Sequence, residues 1–314
     1  MEYSLLGRTG LNVSRLCFGA FTIGPLQAKL PLRSGSAIIR AALAAGVNFI
    51  DTAELYGSYP YIREAIKGYD GVVIASKSYA YTYEDMRRSV EDALCQLGRD
   101  YIDIFLLHEQ VSRHTLRGHH DALVYLLDAK SQGLVRAVGV STHAVEVVQV
   151  AAAMPEIDVI HPILNSRGVG ILDGSAVDML AAVHAASVAG KGIYTMKALG
   201  GGHLIPEAPQ ALSWVLGQSG ISAVAVGMQT KAEVALNCSL FSGQAADEAA
   251  WVKARGKKRR LIVEDHCTGC GKCAARCRMG AITVGEGKAV PDPARCVLCG
   301  YCGAVCPDFC LKII

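Results

Sequence analysis

The chain has 314 residues, enough for one large domain or two unequal ones, and its 31 basic and 28 acidic residues nearly balance. That balance argues against nucleic acid or an anionic membrane as a partner. No apolar run is long enough to span a bilayer and the first residues lack a signal-peptide core, so a cytoplasmic location is expected.

In chain order, Tyr3–Val13 reads as a hairpin closing the bottom of a barrel. Eight apolar β-type runs then alternate with helical patterns: Arg15–Phe18, Val47–Ile50, Val72–Ala75, Ile102–Leu107, Ala137–Val140, Val159–Leu164, Gly192–Met196 and Ala223–Val226. Helices are expected at Ser36–Ala45, Tyr83–Leu97, Ala122–Gln132 and Val177–Ala189. Eight such units predict an α/β fold of the (β/α)8 TIM-barrel type over 1–255. The competing open doubly wound sheet lacks its glycine fingerprint after the first strand.

Barrel chemistry sits at the C-terminal ends of strands. The second strand ends at Asp51 and leads to Tyr56, the third ends at Lys77 and the fourth at His108. A tyrosine is a weak acid near neutrality, and an ammonium beside it lowers its pKa. Lys77 is expected to do this for Tyr56, Asp51 to hold Lys77 charged, and His108 to position a carbonyl or pass protons. Taken singly, each has a dull explanation as a cap, rim or packing residue; as a set at matching strand ends, the chemical reading dominates.

Gly46–Gly57 (GVNFIDTAELYG), Lys77, the DxxxLH ending at His108, Gly139-Val140-Ser141 and Leu6–Gly19 together resemble aldo-keto reductases over about residues 1–250. The resemblance implies that Asp51, Tyr56, Lys77 and His108 form a catalytic tetrad acting on a small carbonyl or alcohol, with a nicotinamide as hydride source. It places the nicotinamide near Ser141, Thr142, His161 and Met196 and the adenosine end near Gly227, Glu233 and Asn237; beside Leu199, the run Gly200-Gly201-Gly202 would let backbone amides approach a pyrophosphate, the other reading being a flexible loop. Thr142, His161 and Met196 depart from the family pattern, so the ring site is altered. Glu233 would repel a 2′-phosphate, which favours NADH over NADPH.

Nine of twelve cysteines crowd into the last 48 residues. Cys267, Cys270, Cys273 and Cys277 form a C-x2-C-x2-C-x3-C run that recurs 29 residues later as Cys296, Cys299, Cys302 and Cys306. This duplication predicts a small α+β ferredoxin-like domain over 256–314 carrying two [4Fe–4S] clusters. Because the fourth thiolate of each run reaches the other cluster in such proteins, Cys267, Cys270, Cys273 and Cys306 are assigned to a first cluster and Cys296, Cys299, Cys302 and Cys277 to a second. Zinc fits the third and fourth cysteines of each run poorly. The segment resembles bacterial two-cluster ferredoxins, with Arg278 where a proline is usual, a charge expected to favour a reduced cluster. Cys310, Cys17, Cys95 and Cys238 are expected to be buried and unliganded.

A helix over Gln244–Ala254 is expected to climb the barrel wall and bring this domain to the upper rim. The sequence thus supports an iron–sulfur oxidoreductase fed by a nicotinamide, by the clusters, or by both, with a redox partner protein served by the clusters. The other reading is an electron-transfer or ligand-binding module with a vestigial reductase site.

Overall fold

The computed structural model describes residues 1–245, 247–254, 260–308 and 310–313, and in two of these, Ala304 and Lys312, the backbone alone. The expected junction at 255–256 and most of the basic run from Lys257 lie outside the described residues.

Strands β1 (Tyr3–Leu5) and β2 (Asn12–Ser14) form an antiparallel hairpin. Eight parallel strands come next: β3 (Leu16–Gly19), β4 (Phe49–Asp51), β5 (Val73–Ser78), β6 (Ile102–Gln110), β7 (Val135–Thr142), β8 (Val159–Pro162), β9 (Gly192–Thr195) and β10 (Ala223–Gly227). They close in the order β10-β3-β4-β5-β6-β7-β8-β9. Each strand is apolar on both faces because each face is covered. Phe49, Ile104 and Leu106 point into the barrel, where hairpin residues Leu6, Leu11 and Val13 join them and close its floor. Their neighbours Ile50, Phe105 and Leu107 point outward and pack under the helices.

The helices match the expected pattern within a few residues: Leu32–Ala44, Tyr83–Leu97, His120–Ser131 and Ala176–Val188. Thr82 caps the second by accepting from Asp85 N. Cys17 and Cys238 are buried as expected, whereas Cys95 is exposed on the helix Tyr83–Leu97. The helix expected from Gln244 begins later, at Glu248, because Asp247 sits ahead of it and accepts from Ala250 N at 3.0 Å.

The C-terminal region pairs β11 (Leu261–Val263) with β14 (Leu311–Ile313) and β12 (Ile282–Gly285) with β13 (Lys288–Pro291). Its sequence repeat is also a backbone repeat. Gly271 and Gly300 start short helices, Lys272–Arg276 and Tyr301–Ala304, with left-handed φ of 77° and 78°. Ala281 N donates to Cys277 Sγ at 3.3 Å, and Cys310 N donates to Cys306 Sγ at 3.2 Å. Cys310 is buried in the position that Ala281 holds in the first half.

Candidate active site and cluster cavity

Strands β4, β5 and β6 carry Asp51, Lys77 and His108 to one rim, and the turn Glu54–Tyr56 folds Tyr56 over them. All four side chains are buried. Lys77 Nζ donates to Asp51 Oδ1 at 2.8 Å, to Asp51 Oδ2 at 2.9 Å and to Thr52 O at 2.6 Å. Its donors are therefore committed, and the ammonium stands 4.9 Å from the centre of the Tyr56 ring, against its face.

Lys77 was expected to lower the Tyr56 pKa, but the net shift is upward. Burial, followed by the Asp51 carboxylate, pushes the Tyr56 phenol well above its usual value, and a hydrogen bond from Tyr301 only partly opposes them. Tyr56 is thus a protonated donor. His108 is held neutral, first by burial and then by Lys77. His161 is pushed down to about 4 by burial, although Asp51 opposes the shift.

Three aromatic residues at this rim were not singled out from the sequence. Tyr194 donates to Asp51 Oδ1 at 2.9 Å and stacks on His161 with ring centres 3.8 Å apart. Tyr79 stacks on His108 at 4.2 Å. Tyr301 comes from the cysteine-rich region: it packs with Tyr56 and Ala53, and its hydroxyl lies 3.4 Å from His108 Nε2. A bulky aromatic between two cysteines was the only local sign of Tyr301, and nothing in the sequence tied it to a strand end 193 residues away.

The cysteine-rich region therefore covers the barrel mouth, as chain reach suggested. Val297 and Leu298 lie on the loop after β9: a side chain at Gly201, whose φ is +69°, would put its Cβ 1.9 Å from the Val297 carbonyl oxygen. Gln27 Nε2 donates to Leu298 O at 3.0 Å, His203 Nε2 meets Cys296 O, and Arg278 Nη1 donates to Glu109 O at 2.6 Å.

The positions expected to hold a dinucleotide are in part already engaged. Ser141 Oγ accepts from Glu109 N, Thr142 Oγ1 donates to Gln110 O, and His161 Nδ1 lies 2.7 Å from Tyr194 O. Met196 and Leu199 are half-buried, and Gly200 is buried beside the loop that Val297 covers. Gly227 is exposed. The Glu233 carboxylate closes a capping box with Thr230 and also accepts from Gln229 N, and Asn237 Nδ2 donates to Glu233 O. Val297 thus lies against the glycine run expected to meet the pyrophosphate, in the docked arrangement of the cysteine-rich region.

Cys277, Cys296, Cys299 and Cys302 line one cavity between the cysteine-rich region and the barrel. In the other set, Cys273 feels the charges of Cys267 and Cys270. Among the described residues, no three His, Cys, Asp or Glu side chains converge on a single-ion site. Sets of four thiols of this kind, with backbone amides donating to Cys277 and Cys306, suit a cubane cluster.

Barrel, buried rim and cysteine-rich cap define an oxidoreductase scaffold. The family model for the aldo/keto reductase family matches residues 15–207, and the chain belongs to that family. Residues 251–310 match the 4Fe-4S dicluster domain, which the C-terminal region is. Among curated proteins, the chain is 30% identical over 182 residues to an aldo-keto reductase of Bacillus subtilis, covering 52% of this chain and 54% of that one. It is 24% identical over 193 residues to L-galactose dehydrogenase of Arabidopsis thaliana, covering 57% and 60%. The chain thus spans little more than half the length of these relatives. A putative aldo-keto reductase from Pseudomonas aeruginosa superposes with a TM-score of 0.66 at 26% identity, over 77% of this chain and 94% of that one. No helix among the described residues is long and apolar enough to cross a membrane.

Proposed function

We propose that this protein interconverts a small carbonyl compound and its alcohol in the cytoplasm, with Tyr56 as proton donor and with electrons reaching the site from the dicluster domain. The reading takes the barrel as 1–255 and the dicluster domain as 256–314. Tyr301 carries the proposal, because the segment that would bear cluster ligands Cys299 and Cys302 also touches Tyr56 and His108. Cys267, Cys270, Cys273 and Cys306 would hold a first [4Fe–4S] cluster, and Cys277, Cys296, Cys299 and Cys302 a second. When bound, each supplies or accepts one electron, so the pair matches the two electrons of the interconversion.

The chain's own residues supply the rest. Burial keeps Tyr56 protonated until the carbonyl oxygen takes its proton, and the second proton comes from solvent. Asp51 and Lys77 neutralise one another and fix the floor beneath the Tyr56 ring. Neutral His108 offers Nε2 where the Tyr301 hydroxyl now lies. Nicotinamide enters only a barrel from which the Val297–Leu298 segment has moved; there, Glu233 inclines the choice toward NADH.

A second reading, electron transfer or ligand binding with a vestigial reductase site, draws support from the same hydroxyl. Tyr301 fills the space between Tyr56 and His108, and a carbonyl gains that space only when Tyr301 yields. The readings separate in an anaerobic assay of the reconstituted chain with reduced viologen and a panel of small aldehydes and ketones. Tyr56→Phe is expected to lower turnover by roughly 10²–10⁴ with an unchanged visible spectrum. No turnover by the unaltered chain would leave the vestigial reading standing, and turnover of the variant within tenfold of the unaltered chain would show that Tyr56 is not the donor.

A further inference from the structure

The cavity ringed by Cys277, Cys296, Cys299 and Cys302 has a second wall made by the barrel, and that wall carries polar atoms with nothing to bind. Lys197 Nζ is buried and, among the described residues, has no hydrogen-bond partner. His143, itself buried, presents Nε2 in the same condition. Leaving an ammonium without a partner in a cavity is costly, so its retention there points to an acceptor that belongs in the space.

Backbone strain marks the same place. Among the described residues, five non-glycines have positive φ, and three of them, Glu109 (53°), Lys197 (56°) and Leu298 (50°), line this cavity. Strain of this kind persists where the surrounding structure imposes it, commonly at functional sites. The charge on the wall is lopsided as well: among the described residues, Lys197, Arg276 and Arg278 face it against one carboxylate, Glu109, which is occupied by the Tyr79 hydroxyl and by Arg278 at 3.8 Å.

We propose that Lys197 and His143 donate from the barrel to the sulfur atoms of the second cluster, and that with Arg276 and Arg278 they raise the potential of that cluster alone. Reduction adds one negative charge, which nearby cations and N–H donors stabilise, more strongly in a buried cavity than in water. Around the first set of thiols the described residues show no such unpaired donor: Cys270 is exposed, and Lys288, the lysine that acts on Cys267, is half-buried and paired with Asp265 at 2.9 Å. Lys197 is a positioning residue in this scheme: it draws electrons to the barrel side of the module without touching the reacting carbonyl. The inference rests on the two-cluster reading.

The test is a redox titration of the anaerobically reconstituted full chain, monitored by electron paramagnetic resonance. Lys197→Met keeps the length and tolerates the same backbone conformation. It is expected to lower one midpoint by about 59 mV, a tenfold loss in a one-electron equilibrium, and to leave the other in place. Lys197→Arg should restore most of the shift, and His143→Leu should move the same midpoint by less. In a Cys270→Ala background, where one cluster is lost, the remaining midpoint should still respond to Lys197→Met. Two unmoved midpoints, or two that move together, would overturn the inference. Iron near four per chain in the unaltered protein would instead overturn the two-cluster reading.

Discussion

The two halves of the dicluster domain are copies in ligand spacing and in backbone, yet the inner one presses Val297 and Tyr301 against the barrel, whereas the outer one reaches it through Arg276 and Arg278 and leaves Cys270 exposed. In the inner half, Tyr301 reaches His108, Val297 lies on Gly201, and the facing cavity wall holds Lys197, whose Nζ has no hydrogen-bond partner among the described residues. In the outer half Cys270 is exposed, and Lys288, which acts on Cys267, is paired with Asp265. The difference shows that a ligand motif fixes what is bound, while the surface opposite the motif fixes what the bound group does.

If the mouth is as dry as this comparison requires, acid should weaken the whole chain. His161 has its pKa at about 4 when folded, against 6.5 for the free side chain. Above pH 6.5 it is neutral in both states. As pH falls from 6.5 toward 4 the unfolded chain takes up a proton that the folded chain refuses, and roughly 3 kcal/mol of stability is lost. His108 and His143 are shifted in the same direction. Melting midpoints measured across this range should therefore drop with acid, less so for His161→Gln; a flat profile would show that the mouth admits water.

A sharper break is to separate the two regions. Val297 is buried between Gly170 and Gly201, so Val297→Asp places an unpaired carboxylate in the interface without altering the barrel loop itself. The variant should retain its iron, show a larger radius by small-angle scattering and bind NADH at least tenfold more tightly. Equal NADH affinity before and after would mean that the docked segment leaves the dinucleotide bed open.

The smallest effect tests the copies themselves. Cys270→Ala and Cys299→Ala should each reduce iron from about eight to about four per chain. Only Cys299→Ala should also disturb the barrel, read as faster amide exchange at Gly200–Gly202. Identical exchange in the two variants would make the halves equivalent after all.

Much of this was legible in the sequence because the relevant signals are local. Strands apolar on both faces, turn residues between them and thiols repeated at fixed spacing each constrain the backbone within a dozen residues. The positions of Asp51, Lys77 and His108 could be read from strand ends, but the burial that pushes the Tyr56 pKa up could not, nor could the capture of all three Lys77 donors by Asp51 and Thr52 O. Tyr194, Tyr301 and Lys197 acquire meaning only through groups far away in the chain, such as Asp51 for Tyr194 and His108 for Tyr301, and no spacing rule reaches that far. The late start of the helix at Glu248 turned on one capping side chain, Asp247.

The segment Cys296–Cys302 serves two purposes at once, carrying three of the thiols proposed for the inner cluster and most of the contacts that fasten the module to the barrel. Thermodynamic linkage then makes attachment and reduction reciprocal. Whatever factor the barrel adds to the electron affinity of the inner cluster, an added electron must return to the grip of the module on the barrel. A charged module is therefore a latched one and a discharged module a loosened one, so the electron count of the tail would set when the mouth of the barrel opens.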